Sequence, residues 1–419
     1  MMTTNSRVSR REGKIFAIII TLIALLPALN YFLNNVAIQL TGGALPLSMF
    51  LYSLLFLSEI YALSLIFRKS IANWDSVLVS LIVVFLTYLS YLLYNDKIGS
   101  SLIAPSLNPM DSQAVFLVLF CLPAFIICSS INNWSYLRKS FAIVSPVVVL
   151  LGFYAFYRQG FSVYGEGKMD YMSLSYYILT SSCFCFYIFL DRFNLFYGIV
   201  SFAGVFVILA AGCRGALLCY SVFAILMIIR QFSTSSQKKY SWLINVFLII
   251  VIVSAISSSI FSIQFISGWF DSLGISSRAV DMMSEGTFLE DSARNNIRNS
   301  LWQGIMDNPF GYGLFGDRYV AAKYYSIGVE YSHNIIYELL TDFGFWGLFL
   351  FFGYIIKSTR SFYKKFKRDN MWVVFLLFVP EGFVELFFSG SFLLDVKFWI
   401  LLALLVNRKR LSFVNMSLH

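Results

Sequence analysis

Long hydrophobic runs follow one another along this chain, separated by short polar segments. Runs of about 20 apolar residues are long enough to cross the hydrocarbon core of a bilayer as helices. The pattern predicts an all-α polytopic membrane protein of about 12 transmembrane helices, with one large external loop that contains short helices. The predicted spans are 15–33, 45–67, 76–94, 114–131, 140–157, 174–190, 195–212, 215–231, 241–262, 344–357, 371–388 and 394–406.

Composition agrees with this prediction and excludes an ordinary soluble domain. Of the 419 residues 58% are hydrophobic, only 13% are charged, and the mean hydropathy is +0.74. The six cysteines show neither a disulfide framework nor the spacing of a metal site. No Asp-x-Asp and no His/Cys/Glu cluster with metal-ligand spacing occurs, so any transferase here is predicted to be metal-independent. We predict no cofactor and no nucleic-acid partner, with the lipid bilayer as the surroundings.

Lysine and arginine, which give the chain its net charge of +9, are concentrated in alternate connections. Short cytoplasmic loops are enriched in these residues, so both termini are predicted to lie in the cytoplasm. The basic start before the first apolar run is typical of a retained anchor, and no cleavable signal peptide is recognised. The basic connections are the N-terminus and residues 68–69, 138–139, 192, 230–239, 357–368 and 408–410.

One external segment, 263–343, is too long to be a simple connection and is predicted to be a functional loop. It separates an N-terminal transmembrane bundle of about nine spans, 1–262, from a C-terminal bundle of about three spans with a cytoplasmic tail, 344–419. The loop keeps several cations although it is predicted to lie outside, and the alternative is a solvated external face. These residues are Arg278, Arg294, Arg298, Arg318, Lys323 and His333.

Within the loop, residues 291 to about 306 are predicted to form a helix capped by Asp291 or Ser292 and ended by Asn308-Pro309. Arg294 and Arg298 then lie one turn apart, and their planar guanidinium groups suit phosphate oxygens. The alternative is ion pairing with nearby carboxylates. The glycines at 311, 313 and 316 predict a loop, and no strand precedes them, which excludes a dinucleotide-binding motif.

His333 is the only histidine apart from the last residue of the chain. Ser332 is predicted to cap a helix whose first turn would contain His333. The positive end of a helix favours a neutral imidazole, which could accept a proton near neutral pH. The alternative is an ordinary polar surface residue.

Three charged residues are predicted inside or between the spans. Arg214 lies in a connection that leaves almost no room for a loop, so it lines a watery cavity, meets an anion or snorkels to the interface. Glu381 and Glu385 lie four residues apart in the eleventh span, and pairing with Arg214 or Lys397 is favoured over a functional role.

The order and spacing of these motifs resemble the O-antigen polymerase and O-antigen ligase superfamily over about 205–350. The resemblance rests on three segments. They are Arg214-Gly215 after an apolar span, Ser292-Ala293-Arg294 followed by Asn308-Pro309 and a glycine turn, and His333-Asn334 followed after nine residues by Gly344 and after two more by Gly347.

The resemblance implies a membrane glycosyltransferase of the GT-C type in the bacterial inner membrane, with its active site at the periplasmic face. It implies an oligosaccharide on polyprenyl diphosphate as donor and acceptor, and a chain-length regulator protein is a further candidate partner. Catalytic roles fall to His333, Arg294 and Arg214, with Arg298 as the alternative family arginine. The predicted substrate-binding residues are Arg278, Arg298, Arg318, Asn334 and Glu338.

Two activities of the superfamily remain open at this point. A polymerase joins the growing glycan to another lipid-linked repeat unit, and a ligase joins it to lipid A-core. The surroundings of Glu338 and the Gly344-Phe345-Trp346-Gly347 segment favour a polymerase of O-antigen or a related surface polysaccharide. A flippase or transporter should show two related halves, which this sequence lacks, and the cell-wall polymerases with a large outer loop fit the histidine motif less well.

Overall fold

The chain forms helices throughout the part that the computed structural model describes. The described residues are 10–41, 47–102, 112–131, 134, 136–159, 170–234, 267–270, 272, 275, 277–285, 292–325, 331–367 and 369–407. Within them, nine helices are long and apolar enough to cross a membrane, and two shorter apolar helices coincide with predicted spans. The all-helical, polytopic prediction is confirmed for these ranges, and the predicted span 241–262 lies outside them.

The helices that precede the external segment coincide with predicted spans. They are α1 (Arg10–Thr41), α2 (Leu47–Arg68), α3 (Trp74–Leu102), α4 (Gln113–Phe116), which continues through a π-helical turn (Leu117–Cys121) into α5 (Leu122–Ser130), α6 (Leu137–Arg158), α7 (Tyr171–Arg192), α8 (Leu195–Ala211) and α9 (Arg214–Thr234).

The remaining helices belong to the external segment and to the C-terminal bundle. They are α10 (Arg278–Ser284), α11 (Ser292–Asp307), α12 (Gly316–Tyr325), α13 (Ile335–Phe366), α14 (Asn370–Val379), which continues through a π-helical turn (Pro380–Val384) into a 3₁₀ turn (Glu385–Phe387), and α15 (Val396–Val406).

Contacts divide the chain into two compact units. The first unit consists of Met1–Ala24, Tyr52–Leu137 and Asp291–His419, and the second of Leu25–Leu51 and Arg138–Glu290. The segment that we predicted as one external loop, 263–343, is therefore shared between the two units. The three-part domain scheme stays a prediction.

In the second unit, α7 and α8 form a closely packed antiparallel pair, and α9 packs against both. The side chains of Asp170 and Asn194 cap α7 and α8 by accepting hydrogen bonds from main-chain N–H groups in the first turn. Ser201 of α8 donates to the carbonyl of Ser182 in α7 over 3.0 Å. Capped ends and a polar contact between small residues allow the two apolar helices to lie close together.

In the first unit, α12 packs against α3, α11 and α13, and α15 packs against α5 and α14. The centre of the α11–α12 contact is formed by the fully buried Leu301 and Val320. Lys397 of α15 pairs with Glu381 in the π-helical turn after α14. The prediction that Glu381 has a structural partner is thus confirmed, and the partner is Lys397.

Candidate functional site

The predicted arginine helix exists in the first unit. α11 covers Ser292–Asp307 and ends at Asn308, as the Asn-Pro dipeptide predicted. Arg294 and Arg298 lie one turn apart on this helix, and both side chains are partly exposed. The predicted cap Asp291 lies outside the described residues. Both guanidinium groups are therefore positioned at the beginning of a helix whose other end is packed into the core.

The segment that follows Pro309 docks onto α13 through main-chain contacts. Tyr312 N–H donates to the carbonyl of Thr341 over 2.8 Å, and Gly313 N–H donates to the carbonyl of Asp342 over 2.8 Å. Phe345 N–H donates in return to the carbonyl of Pro309 over 3.3 Å. These bonds join the Asn-Pro turn to the helix that follows His333.

Gly344 makes this contact possible. It has the backbone angles φ 66° and ψ −170° in the middle of α13, which kink the helix there. A Cβ at this position would lie 2.1 Å from the carbonyl oxygen of Pro309. Because an L side chain would be both strained and in collision, only glycine fits. The distance from Asn334 to Gly344 is thus set by where the Pro309 turn meets the helix.

Gly347 follows on the other side of the kink, and a Cβ there would lie 2.1 Å from the Cβ of Phe343. The missing side chain of Gly347 leaves room for the side chain of Phe343. The two glycines therefore share one structural task, and their spacing has a physical reason independent of any chemistry at His333.

His333 does not lie inside the helix. We predicted that Ser332 caps α13 and that His333 occupies its first turn, and this prediction is wrong. The helix begins at Ile335, and the side chain of Asn334 is the cap, accepting from Ile336 N–H over 2.9 Å. An asparagine cap competes equally well with serine, which is why the sequence did not separate them.

The imidazole is held in a strained backbone position immediately before α13. His333 has φ 56°, the left-handed region that non-glycine residues rarely adopt. The N–H of Ser332 donates to Asp317 over 2.8 Å, which fixes the chain on one side of the histidine. The half-buried ring lies against Tyr331, with ring centroids 4.1 Å apart. Strain of this kind persists only where neighbouring contacts enforce it, and such residues cluster at functional sites.

A turn in the C-terminal bundle joins Arg294 to Asn334. This segment, Phe387 to Phe392, is called the 387–392 turn below. Arg294 donates a guanidinium N–H to the carbonyl of Phe388. The Nδ2 of Asn334 donates to the neighbouring carbonyl, that of Phe387, over 3.0 Å. Because two consecutive carbonyls bind the two side chains, Arg294 and the residue next to His333 meet at one place.

Arg318 and Glu338 form a buried cluster that contacts the same turn at Ser391, with exposed fractions of 1% and 0%. Arg318 Nη1 lies 2.9 Å from Glu338 Oε1 and 2.5 Å from Asp317 Oδ1, and Arg318 Nη2 donates to Ser391 Oγ over 2.7 Å. Burial lowers the pKa of Arg318, but the carboxylates of Asp317 and Glu338 raise it by more, so the guanidinium stays charged. We predicted that Arg318 and Glu338 bind substrate, whereas in this structure they bind each other and neither side chain is accessible.

Three carboxylates of this cluster have the proximity that a metal site needs. Oxygens of Asp317, Glu338 and Asp342 all lie within 4.8 Å of one another. The guanidinium of Arg318, however, already donates to two of the three. The cluster therefore contains one internal cation, which pairs with Asp317 and Glu338.

Arg214 and Arg278 belong to the second unit. Gly212 ends α8 in a left-handed conformation, and α9 begins two residues later at Arg214, so the predicted tight turn is confirmed. Ser277, just before α10, donates its hydroxyl to the carbonyl of Leu209 near the end of α8 over 2.5 Å. The beginnings of α9 and α10, which carry Arg214 and Arg278, are therefore both attached to the same end of α8.

Sequence reasoning missed Asp317, Asp342 and Ser391, which complete the buried cluster. No spacing rule connects them, because Ser391 follows Glu338 by 53 residues and Arg318 by 73. One signal was present for Asp342: it is a carboxylate close to the predicted start of a span, where an unpaired charge is costly.

Comparison with known proteins agrees with the motifs. Residues 199–352 match the family model of the O-antigen ligases. The matched range includes Arg214, Arg294, His333, Gly344 and Gly347. No curated protein and no solved structure matches the chain. This match confirms the resemblance to the O-antigen polymerase and ligase superfamily. It does not distinguish a polymerase from a ligase.

Proposed function

We propose that this protein, whose residues 199–352 carry the O-antigen ligase family signature, is a membrane glycosyltransferase that polymerises O-antigen or a related surface polysaccharide. Its donor and acceptor are oligosaccharide repeat units on undecaprenyl diphosphate, and the reaction takes place at the periplasmic face of the inner membrane. The observation that carries the proposal is the attachment of Arg294 and Asn334, the neighbour of His333, to consecutive carbonyls of one turn.

In the proposed reaction, an acceptor sugar hydroxyl attacks the anomeric carbon of the donor glycan. The bond between that carbon and the diphosphate oxygen breaks, and its electron pair leaves with undecaprenyl diphosphate. His333 takes the hydroxyl proton, which adds about 10²- to 10⁴-fold to the rate. Arg294 and Arg214 bind the diphosphate and neutralise the charge that develops on it, with Arg298 and Arg278 as supporting cations.

Several features support this division of roles. Arg294 and Arg298 are partly exposed at the start of α11, and His333 is half-buried, so a ligand can reach them. Arg318 and Glu338 are enclosed, and we therefore assign them to the support of the site. Diphosphate binding needs cations. A guanidinium can donate to two phosphate oxygens at once, whereas a lysine ammonium acts as a point charge.

The direct test is the lipopolysaccharide of a deletion strain that carries plasmid-borne variants. His333→Ala should abolish polymer, whereas His419→Ala, which removes the chain's other histidine, should restore it. Wild-type polymer from the His333→Ala protein would exclude the proposed base. The deletion strain itself separates the two activities, because loss of a polymerase leaves a single attached repeat unit and loss of a ligase leaves none.

A second test concerns the diphosphate clamp. Arg294→Lys should reduce transfer nearly as much as Arg294→Ala, since lysine keeps the charge and loses the fork. Arg360→Lys, an exposed arginine near the other end of α13, is the matched control. Full activity of Arg294→Lys would show that a point charge is sufficient at this position.

A further inference from the structure

The 387–392 turn is hydrogen-bonded to three different elements of the first unit. Arg294 comes from α11, Arg318 from α12, and Asn334 and Glu338 from the beginning of α13. All four of these residues lie inside the family match, 199–352, while the turn begins 35 residues beyond its end. A short segment outside the family signature is thus the place where its parts are joined.

The first part of the turn, Phe387 and Phe388, contacts Asn334 and Arg294 through main-chain atoms. Phe387 and Phe388 offer their carbonyls to Asn334 and Arg294, and the carbonyl of Glu385 accepts from the N–H groups of Phe388 and Ser389 over 2.8 and 2.7 Å. Because carbonyl direction is set by the path of the backbone, whatever fixes the turn also fixes the two motif side chains.

The last part of the turn, Ser391 and Phe392, is held by contacts to Arg318 and Glu338. The hydroxyl of Ser391 accepts from Arg318 over 2.7 Å and donates to Glu338, and the next residue, Phe392, donates its N–H to Glu338 Oε2 over 3.2 Å. Ser391 is 3% exposed and both of its partners are charged. Hydrogen bonds to charged groups in a buried setting are stronger than neutral ones.

The same cluster also holds the opposite flank of His333. Arg318 pairs with Asp317, whose second oxygen accepts from Ser332 N–H. Both chain neighbours of the strained His333 are therefore held by one continuous set of contacts. These contacts run from Asn334 through the turn, Ser391, Arg318 and Asp317 to Ser332.

We infer that the 387–392 turn is a positioning element of the active site and that Ser391 is its positioning residue, which holds Arg294 and the His333 loop in register through the backbone of the turn. The inference rests on the proposed glycosyl transfer. Ser391 touches neither substrate nor reacting atoms, and it acts through the Phe387 and Phe388 carbonyls.

The experiment compares Ser391→Ala with Ser389→Ala in full-length protein reconstituted in lipid nanodiscs with undecaprenyl-diphosphate-linked repeat units. Both serines lie in the same turn and both are 3% exposed, but Ser391 bonds to Arg318 and Glu338. We expect Ser391→Ala to lower kcat by about 10- to 100-fold, since a small misplacement of reacting groups costs up to about 10²-fold. Ser389→Ala should stay within about twofold of wild type, the range of a change away from such contacts.

A double-mutant cycle distinguishes positioning from a general loss of stability. Asn334→Asp keeps the oxygen that caps α13 and removes the amide that donates to Phe387. If Ser391 acts through the turn, Ser391→Ala and Asn334→Asp interrupt the same connection. The double variant should then be no more than about twofold slower than the slower single variant, because effects along one path are not additive.

Three outcomes would overturn the inference: equal kcat for Ser391→Ala and Ser389→Ala, a lowered melting temperature of Ser391→Ala with unchanged kcat, or multiplicative effects in the cycle. Each presupposes that wild-type protein transfers glycan. Absence of transfer by wild-type protein would instead reject the proposed function, so the two failures are distinguishable.

Discussion

At the scale of single residues, the buried guanidinium of Arg318 determines how the site is supported. It lies among the carboxylates of Asp317 and Glu338, and all three side chains are at most 1% exposed. Removing one partner of a buried ion pair leaves the other charge without compensation, which costs about 3–5 kcal/mol. Arg318 thus connects the stability of the protein with the geometry of the site.

The first prediction concerns this pair. Arg318→Met should lower the free energy of unfolding by about 3–5 kcal/mol, because three carboxylates would share the core without a cation. Thermal unfolding is measured with a thiol-reactive dye, since all six cysteines are buried and unfolding exposes their thiols. Arg360→Met, at an exposed position of α13, serves as the control and should melt like wild type. A stable Arg318→Met protein would mean that the carboxylates are neutral in the fold.

At the scale of helices, the kink at Gly344 is the feature that shapes the site. It allows α13 to receive the Pro309 turn and still continue to Phe366. The turn that follows the arginine helix is joined to α13 at this break in the helix.

The second prediction compares two glycines of α13. Gly344→Ala should destabilise the protein by about 2–4 kcal/mol, since the new methyl group meets the Pro309 carbonyl and the backbone angle is strained. Gly353→Ala has nothing within 4 Å of the added carbon and should be neutral or stabilising by up to about 1 kcal/mol. The same dye-based melting curves measure both, and similar curves for the two variants would contradict the described kink.

The predictability of this site from sequence also differs by element. The spans and α11 were predictable because hydropathy and the Asn-Pro stop are local signals. The position of His333 was not predictable, because Ser332 and Asn334 are equally good caps and both are held by contacts to distant residues, Asp317 and Phe387. The roles of Ser391 and Asp342 depend on contacts between distant segments, which no local pattern records.

At the scale of the whole molecule, the first unit is arranged along α13. The Pro309 turn meets this helix at Gly344, and Lys357, Arg360 and Lys364 follow towards its other end. The 16 residues between Gly344 and Arg360 rise by about 24 Å at 1.5 Å per residue, close to the thickness of a bilayer core. The two ends of α13 are therefore predicted to lie on opposite sides of the membrane, with the basic end in the cytoplasm.

The third prediction tests this orientation by cysteine labelling. Phe310→Cys, at a position 75% exposed, should react with a membrane-impermeant maleimide in cells whose outer membrane is permeabilised. Arg360→Cys should react only after the inner membrane is disrupted. The buried native cysteines provide a low background. Labelling of Arg360→Cys in intact spheroplasts would reverse the proposed sidedness.

The position of Ser391 has a consequence for how the protein is made. The ribosome delivers Ser391 58 residues after His333, which takes about 3–12 s at about 5–20 residues per second. During that interval Arg294 and Asn334 have no turn to bind, and Glu338 lacks the hydroxyl and N–H that it accepts in the finished fold. If the turn positions the site as we propose, the site is expected to assemble late in membrane insertion. A nascent chain that already contains residues 199–352 is then expected to stay inactive until the segment with Ser391 has been inserted.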